Sequence, residues 1–496
     1  MDRDIPPIEL LFSPPAVCQN HRLPLASFHS MESVFGWIFT VVKVLLLFGA
    51  AIFVHEFGHY WVARRRGMRV DGFSIGFGPK IFAWMQDGVE WSVRWIPAGG
   101  FVKLPQMITS EAIEGKADQA VPPASPFSRI LVAAAGPFMN VVFAFLIATF
   151  IWVIGLPVLV NPPIIGRVEP GSSEYAAGIR ERDRILAVAG SPVRSWQDIN
   201  LEVLTSRTNR LLLTLGRADQ RFTALVGTRT NEQLHLRWLD LEPFERPVVG
   251  LVEADKPAGK IGLKPGDKLL SFDGVFVLNQ EHLVELVSKG QGRSCELISE
   301  RDSVRITNTV TPIYDPALKR GRIGIAFAGG HYEIQRPGPT PFEQIDEVLH
   351  MMSKTFLALW HHKETGVGAK DMSGPVGILG KLAVDVRTDF RLALKFMVML
   401  NINLAILNLL PLPVLDGGHI MMSLYELLTR RRVSLRFQEY ATTGFAILLI
   451  SFMAYVTFFD INRFWLFKMM WKQQSVIHPA SESAAPSGPT NAMPAP

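Results

Sequence analysis

The chain has 496 residues, of which 48% are hydrophobic and 19% are charged, and its formal net charge is +5. Its mean hydropathy of +0.21 is too high for an ordinary soluble protein and too low for a chain that lies wholly in a membrane. We therefore expect membrane spans together with at least one water-soluble module. The basic balance needs no nucleic acid partner, because arginine triplets at 64–66 and 430–432 each follow an apolar run and mark cytoplasmic ends of spans.

The two ends of the chain and its two cysteines offer few clues to function. Residues 1–30 lack the basic start and apolar core of a signal peptide, and we interpret them as a disordered extension, with Met31 as a second candidate start. The segment 466–496 is rich in Pro, Ser and Ala and is also expected to be disordered. Cys18 and Cys295 cannot form a disulfide framework, so we expect two unpaired thiols.

Four apolar runs are long enough to cross a bilayer, since about 20 helical residues span one hydrocarbon core. They lie at 34–54, 130–160, 392–410 and 443–459. The second run contains Gly136-Pro137, which we expect to kink or divide it. With both arginine triplets in the cytoplasm, four crossings put both termini and the region between the second and third runs outside. The runs define a membrane core in two parts, 31–160 and 391–465.

The end of the first run carries the pattern His55-Glu56-Phe57-Gly58-His59. Positions i and i+4 share one face of a helix, so both imidazoles can bind one metal ion while Glu56 lies beside it. Ionisable groups at membrane depth are costly and therefore point to function. A catalytic zinc site needs a third ligand. Asp416, in Leu415-Asp416-Gly417-Gly418-His419 after the third run, is the candidate; the alternative is that it is a turn residue.

The expected ligand set is that of a hydrolytic zinc centre. Two neutral imidazoles, from His55 and His59, and the Asp416 carboxylate bind Zn²⁺ and leave one position open for water, whose pKa falls to about 7. Glu56 is not a ligand in this arrangement, and it can take a proton from that water and give it to a leaving amine. A fourth ligand at His419 would close the site, so we expect His419 to support the ligands or the local structure.

A β-hairpin is predicted between the first two runs. Residues 81–95 alternate in polarity on either side of Asp87-Gly88, a dipeptide typical of tight hairpin turns. Bare sheet edges cannot face lipid, so we expect the region 70–104 to pack against protein or a water-filled cavity. An exposed edge near the metal could pair with an extended substrate peptide. A cytoplasmic hairpin without that role is the alternative.

The outer region contains two copies of one pattern at an offset of 84 residues, at 161–243 and 244–320. In each copy a strand, a turn, a corner at Asp183 or Asp267, a second strand and a helix follow in order. This order resembles that of PDZ domains, and the second copy, with Pro-Gly before its aspartate, is the closer match. Whether the pair binds an extended peptide or acts as a size-selecting barrier stays open.

The region 321–390 links the second copy to the third run, and it contains a predicted amphipathic helix at 341–360. One face of that helix is apolar: Ile345, Val348, Leu349, Met352, Phe356 and Trp360. Such a helix suits the outer membrane surface. A soluble helix packed on the second copy is the equally weighted alternative.

Several motifs, in order, resemble those of the bacterial site-2 proteases, which are intramembrane zinc metalloproteases. They are the 55–59 pattern, the hairpin end at 99–103, Ala135-Gly-Pro-Phe-Met-Asn140, Ser373-Gly-Pro-Val-Gly377 and the segment 408–419. The resemblance covers residues 31–465, and the two PDZ copies resemble the subgroup that regulates envelope-stress sigma factors. It implies a polytopic α-helical membrane protein with four transmembrane helices, a membrane-associated β-hairpin and two extracytoplasmic PDZ domains of α+β type.

The resemblance also implies a function. It implies a zinc metalloendopeptidase of the cell inner membrane that cleaves single-span membrane proteins within or near their transmembrane segments. An anti-sigma factor and signal-peptide remnants are the implied substrates, with the PDZ domains periplasmic and the active site toward the cytoplasm. Asn403 and Asn408 are implied to hold the substrate strand, although helix packing is an alternative for Asn403. A membrane zinc transporter and an inactive PDZ scaffold are the competing functions.

Overall fold

The computed structural model describes residues 29–107, 124–159, 161–168, 171–218, 220–230, 237–316, 320–328, 331–431, 433–462 and 476–478. The predicted N-terminal extension up to residue 28, with Cys18, lies outside the described residues, as does most of the predicted tail. Cys295 is buried and unpaired, as expected.

Four helices in the described part of the chain are long and apolar enough to cross a membrane, and they correspond to the four apolar runs of the sequence. In chain order, span 1 to span 4 are His29–Arg65, Pro126–Ile154, Phe390–Asn408 and Leu435–Asn462. Spans 1, 2 and 3 pack against one another, whereas span 4 is largely exposed and packs chiefly against the helix Pro375–Thr388. This is the architecture of a membrane protein.

Span 2 runs unbroken through Pro137 and ends earlier than predicted. The expectation that Gly136-Pro137 divides this run was wrong, because an apolar setting offers the backbone no other partners and so favours helical hydrogen bonds on both sides of the proline. The helix ends at Ile154, where Gly155 takes up a φ of 84°. Leu156–Leu159 then forms a strand in place of the last predicted turn.

The predicted hairpin is present and lies within the predicted region 70–104. Its strands are Gly72–Gln86 and Val89–Lys103. Asp87 has a φ of 51° and Gly88 a φ of 76°. Positive φ at both central residues is what a two-residue turn of type I′ requires, so the Asp-Gly signal is confirmed.

The two hairpin strands curl into a small sheet. Phe73 pairs with Trp91 on one side and with Val102 on the other, so the segment 72–75 lies between 90–93 and 100–103. The segment 100–103 is consequently an edge of this sheet. Phe73 is buried against the aromatic ring of Tyr60 in span 1, which holds the sheet against the span that carries the 55–59 pattern.

Shorter helices complete the membrane core. They are Pro341–Trp360, His362–Thr365, Pro375–Thr388 and Asp416–Thr429, with a 3-10 turn at Ala369–Asp371. The apolar faces of Pro341–Trp360 and Pro375–Thr388, with spans 1 to 3, enclose one buried cluster that includes Ala51, Ile147, Ile151, Val348, Leu382, Leu394 and Met397. Within a bilayer, the close van der Waals packing of these side chains, rather than their removal from water, stabilises the bundle.

The two outer copies fold alike. The first has a four-stranded sheet of Ser191–Pro192, Arg184–Val188, Arg210–Arg217 and Gln220–Gly227, with helices Ser173–Ala176 and Trp196–Thr205. The second has Val275–Phe276, Lys268–Phe272, Cys295–Arg301 and Val304–Val310, with helices Pro257–Lys260 and Gln280–Lys289. Strand order and helix order match, which supports the sequence repeat.

A buried aspartate is held in the same way in both copies. Arg217 donates two hydrogen bonds to Asp183, and Arg301 donates two to Asp267. Both aspartates are fully buried, so each paired arginine offsets the cost of a buried charge. The repeat in the sequence includes the aspartates but did not reveal the arginines, which lie 34 residues later in each copy.

Short strand pairs join these sheets to the rest of the chain. They are Ile165–Arg167 with Glu242–Pro243, Arg229–Thr230 with Arg237–Trp238, Val249–Val252 with Ile325–Phe327, and Ile313–Asp315 with Arg320–Arg322. They close the open side of each copy.

The amphipathic helix has the predicted bounds, Pro341–Trp360, but it does not sit chiefly on the second copy. Its Gln344 donates to the Ala148 carbonyl of span 2, and its Lys354 contacts Glu202 of the first copy. Val348 is buried in the membrane core, whereas Trp360 is 82% exposed. The alternative of packing on the second copy was therefore wrong, because the apolar face finds its partners in spans 2 and 3.

Part of the C-terminal tail is ordered. Val476–His478 pairs in parallel with His331–Gln335, which also pairs with Leu156–Leu159. The expectation of disorder was wrong for these three residues, since the β-branched Val476 and Ile477 favour a strand and an open sheet edge is at hand.

Candidate active site

His55 and His59 lie one turn apart in span 1 and face the same way. Their Nε2 atoms are 3.2 Å apart, and each residue is 9% exposed. Two buried imidazoles at this spacing repel if both are charged, so they need a shared partner. The i, i+4 prediction for the pair is confirmed in its geometry.

Asp416 completes a triangle with the two histidines. Its Oδ2 is 3.3 Å from His55 Nε2, and its Oδ1 is 3.5 Å from His59 Nε2. Asp416 is the first residue of the helix Asp416–Thr429, which follows span 3 after a short loop. Two segments separated by more than 350 residues in sequence thus meet at one point.

The glycines after Asp416 make this loop possible. A Cβ on Gly417 would lie 2.2 Å from the Leu410 carbonyl oxygen, and one on Gly418 would lie 2.3 Å from that of Leu412. The loop after span 3 therefore folds directly over the start of the helix. A side chain at either position would push Asp416 away from the histidines.

The donor set fits a tetrahedral zinc ion. Ligands at about 2.0–2.1 Å in tetrahedral geometry are separated by about 3.3–3.4 Å. The three sides of the His55, His59 and Asp416 triangle, at 3.2, 3.3 and 3.5 Å, match that separation. Asp416 Oδ2 is also buried and has no hydrogen-bond partner among the described residues. These three residues form the cluster of potential metal ligands found in the described part of the chain.

Both histidines are held from behind by span 2. His59 Nδ1 lies 2.8 Å from the Val132 carbonyl oxygen, so it donates its proton there and leaves Nε2 free to bind a metal. His55 Nδ1 lies 3.1 Å from the Asn140 amide. Asn140 belongs to one of the motifs noted in the sequence, but the motif did not predict this contact. The available signal was a polar residue in an otherwise apolar span.

Spans 1 and 2 approach each other closely at the site. A Cβ on Gly58 would lie 2.5 Å from the Ala135 carbonyl oxygen, and one on Gly136 would lie 2.3 Å from His59 Nε2. The imidazoles therefore occupy the space that a side chain at Gly136 would fill. The absence of a side chain at Gly136 therefore leaves room for both histidines.

Glu56 lies beside the ligands and against the edge of the hairpin sheet. The residue is 8% exposed. A Cβ on Gly100 would lie 2.7 Å from Glu56 Cγ, so the edge segment 100–103 passes directly next to this carboxylate. The hairpin is thus a wall of the site, which favours the active role over that of a remote cytoplasmic hairpin.

Of the two asparagines assigned to substrate, one lies at the triangle. Asn408 Nδ2 is 3.5 Å from His55 Nε2, at the end of span 3. Asn403 is part-buried further up the span, and its Oδ1 has no hydrogen-bond partner among the described residues. His419 is outside the ligand cluster and lines a small cavity with Arg129.

This fold and site define a class of protein. The family model for peptidase family M50 matches residues 43–452, and the chain belongs to that family. The resemblance drawn from the motifs is confirmed.

Curated relatives match almost over their full length. The regulator of sigma-E protease RseP of Salmonella typhimurium is 29% identical over 462 residues, which is 86% of this chain and 99% of the relative. RseP of Escherichia coli is 28% identical, with 86% and 99% covered. A putative zinc metalloprotease of Neisseria meningitidis is 29% identical, with 87% and 99% covered.

The chain is therefore a zinc metalloprotease, and the transporter and scaffold alternatives are excluded by family membership. A solved PDZ domain of an SdrC-like protein from Listeria monocytogenes is 16% identical and covers 17% of this chain and 88% of that one, with a TM-score of 0.16. A likeness of that size carries no argument about the outer copies.

Proposed function

We propose that His55, His59 and Asp416 are the zinc ligands of an intramembrane protease and that Glu56 is its catalytic acid and base. The observation that carries this proposal is the triangle of ligand atoms at 3.2 to 3.5 Å, formed by segments from the two ends of the membrane core. The substrate is a single-span membrane protein, cleaved within or near its transmembrane segment.

The chemistry follows from the donor set. Bound Zn²⁺ supplies a Lewis acid that makes a water molecule acidic enough to lose a proton near neutral pH. Glu56, adjacent to His55 and buried, takes that proton and later gives it to the leaving amine. Asp416 offsets part of the metal's charge at a largely buried site, where few water molecules can do so. Asn408, beside His55, donates to a substrate carbonyl that lies next to the ligands.

A peptide bond within a helix is shielded by the helix, so the substrate must be extended before it is cut. The edge segment 100–103 passes next to Glu56 and can pair with an extended chain. Pairing there brings the scissile bond to the metal while satisfying backbone groups that lipid leaves unpaired. Asn403, buried deeper along span 3, is assigned to the same strand.

The physiological substrate is inferred from the relatives. Two of them are named as regulators of sigma-E, and an anti-sigma factor is accordingly our proposed substrate in envelope-stress signalling. Signal-peptide remnants, which are also short apolar helices, are a second proposed substrate. Both are membrane partners that present one helix to the site.

We also propose the orientation and the role of the outer copies. Arg64 and Arg65 lie in the last turn of span 1 and Arg66 follows it, which supports a site toward the cytoplasm of an inner membrane and both termini in the periplasm. The copies at 161–243 and 244–320 are assigned as periplasmic PDZ domains. A groove in the second copy, between the helix Gln280–Lys289 and the strand Arg320–Arg322, supports peptide binding over a purely steric barrier.

The direct test uses purified full-length protein and a single-span substrate in detergent or vesicles. We expect cleavage that a zinc chelator abolishes and added Zn²⁺ restores. Glu56→Gln should retain its zinc and lose activity by about 10²- to 10⁴-fold, because only the proton transfer is removed. Cleavage by Glu56→Gln at the wild-type rate would overturn the assignment of Glu56.

A further inference from the structure

One face of span 2 contacts His55, His59 and the helix that begins with Asp416. The residues are Arg129, Val132, Gly136 and Asn140, which fall within about 80° of one another around a helix of 100° per residue. Val132 accepts from His59, and Gly136 leaves room for both imidazoles. The two outer members of the face, Asn140 and Arg129, have contacts that the proposed chemistry does not use.

Asn140 contacts the side of His55 that faces away from the metal site. It is fully buried, and its Nδ2 lies 3.1 Å from His55 Nδ1 while its Oδ1 has no hydrogen-bond partner among the described residues. When Nε2 of His55 binds a metal, Nδ1 carries the proton and needs an acceptor. A half-turn of the amide puts Oδ1 at that position. The side chain can thus fix both the tautomer and the ring plane of His55.

Arg129 contacts the helix that begins with Asp416. It forms an ion pair with Glu426, and both side chains are buried, at 7% and 13% exposed. Glu426 is ten residues after Asp416, about 15 Å along the helix and about 80° around it. The helix Asp416–Thr429 packs along span 2 between these two points. One end of it is therefore fixed by Arg129, and the other presents Asp416 to the histidines.

A buried ion pair is a poor source of stability, because desolvation of the two charges offsets their attraction. It is, however, directional, and it fixes how far a helix is rotated and how far it is shifted along its neighbour. Ser423, which is 2% exposed on the same face of this helix, carries no charge. The ion pair between Arg129 and Glu426 therefore sets the register of the helix against span 2 at this end. An error in that register would move Asp416 off the triangle.

We infer that span 2 is the template of the metal site, with Asn140 positioning His55 and Arg129 positioning Asp416 through Glu426. The inference rests on the proposed zinc ligands. Neither residue touches substrate or metal, so both are positioning residues. Their removal should weaken zinc binding, since residues that orient metal ligands typically contribute 10- to 100-fold in affinity.

The test measures zinc affinity of the full-length protein by competition with a chelator, together with thermal unfolding. Asn140→Leu should bind zinc about tenfold more weakly, and Asn140→Asp, which keeps an acceptor, should restore binding. The double variant Arg129→Met with Glu426→Leu should unfold at the wild-type temperature or above and still bind zinc about tenfold more weakly. In both cases kcat should fall more than KM rises.

Asn401→Leu is the matched control. Asn401 is fully buried in span 3 and donates to the Met397 carbonyl of its own helix, away from the ligands. Its loss should leave zinc affinity unchanged. If Asn140→Leu and the double variant fold and keep wild-type affinity while Asp416→Asn loses zinc, the template inference is overturned and the proposed site stands. If Asp416→Asn also keeps its zinc, both are overturned.

Discussion

Gly136 lies where span 2 faces the imidazoles, and a single added methyl group there should empty the site. The Cβ of Gly136→Ala would sit 2.3 Å from His59 Nε2, well inside contact distance. We expect this variant to fold, to lose bound zinc and to lose activity by at least about 100-fold, because small displacements of catalytic groups cost that much. Elemental analysis and a cleavage assay measure both effects.

Gly49→Ala is the control for that substitution. Like Gly136, Gly49 lies within a spanning helix, in this case span 1, but a Cβ at Gly49 would meet nothing within 4 Å. This variant should keep wild-type zinc content and activity. Equal behaviour of the two variants would show that Gly136 has no special relation to the ligands.

The sequence named candidate ligands but not the residues that contact them from behind. His55, Glu56 and His59 follow from a helical spacing that is local in sequence, and Asp416 follows from its place after an apolar run. Asn140 and the Arg129–Glu426 pair depend on which faces of separate helices meet. A single sequence does not encode that in any local pattern, so these contacts required the structure.

At the scale of elements, the hairpin edge offers a test of strand pairing. Alternate N–H groups along an antiparallel strand point to opposite sides, so of two adjacent residues one faces the neighbouring strand and the other faces the free edge. Phe101→Pro and Val102→Pro, made as separate variants, should therefore differ in effect, because each removes an N–H on a different side of the strand. The variant that loses only the N–H at the free edge should no longer cleave substrate, while its zinc content stays unchanged.

The other proline should disturb the pairing with the segment 72–75 and lower the stability of the small sheet. Zinc content and thermal unfolding identify which variant is which. If the variant that retains both zinc and stability cleaves at the wild-type rate, substrate pairing on the segment 100–103 is wrong.

The helix Pro375–Thr388 carries a buried carboxylate whose protonation should affect stability. Asp385 is 5% exposed, and burial raises its pKa although the Lys381 charge opposes this. The folded state therefore binds this proton more tightly than the unfolded state, so stability falls as pH rises toward the raised pKa. Asp385→Asn should raise the unfolding temperature at pH 7.5 relative to wild type and change it less at pH 5.

Thermal unfolding of both proteins across that pH range measures the effect. A lower unfolding temperature for Asp385→Asn at pH 7.5 would mean that the ion pair with Lys381 outweighs the cost of burial.

At the scale of the whole molecule, apolar runs predicted the four spans, a sequence repeat predicted the two outer copies, and an apolar helix face predicted the helix Pro341–Trp360. Each of these signals lies within the sequence itself. The sequence did not predict the unbroken passage of span 2 through Pro137, nor the strand Val476–His478. Both are set by partners that are distant in sequence. The packing of the helix Pro341–Trp360 on spans 2 and 3 was not predicted, for the same reason.

The proposed orientation can be measured with cysteines in a variant lacking Cys18 and Cys295. Ser303, in an exposed turn of the second copy, and Ser434, exposed at the start of span 4, should lie on opposite sides of the membrane. Ser303→Cys should react with a membrane-impermeant thiol reagent in cells with a permeabilised outer membrane, and Ser434→Cys should react only after lysis. Reaction of both in unlysed cells would contradict four crossings.

The central claim is that one zinc ion is held by two imidazoles from span 1 and by one carboxylate from the helix that follows span 3. X-ray absorption at the zinc edge of the purified protein tests it most directly. We expect a first shell of nitrogen and oxygen at about 2.0–2.2 Å with the multiple scattering of two imidazole rings, lost in Asp416→Asn or His55→Ala. A sulfur shell near 2.3 Å, or an unchanged spectrum in those variants, would contradict the account.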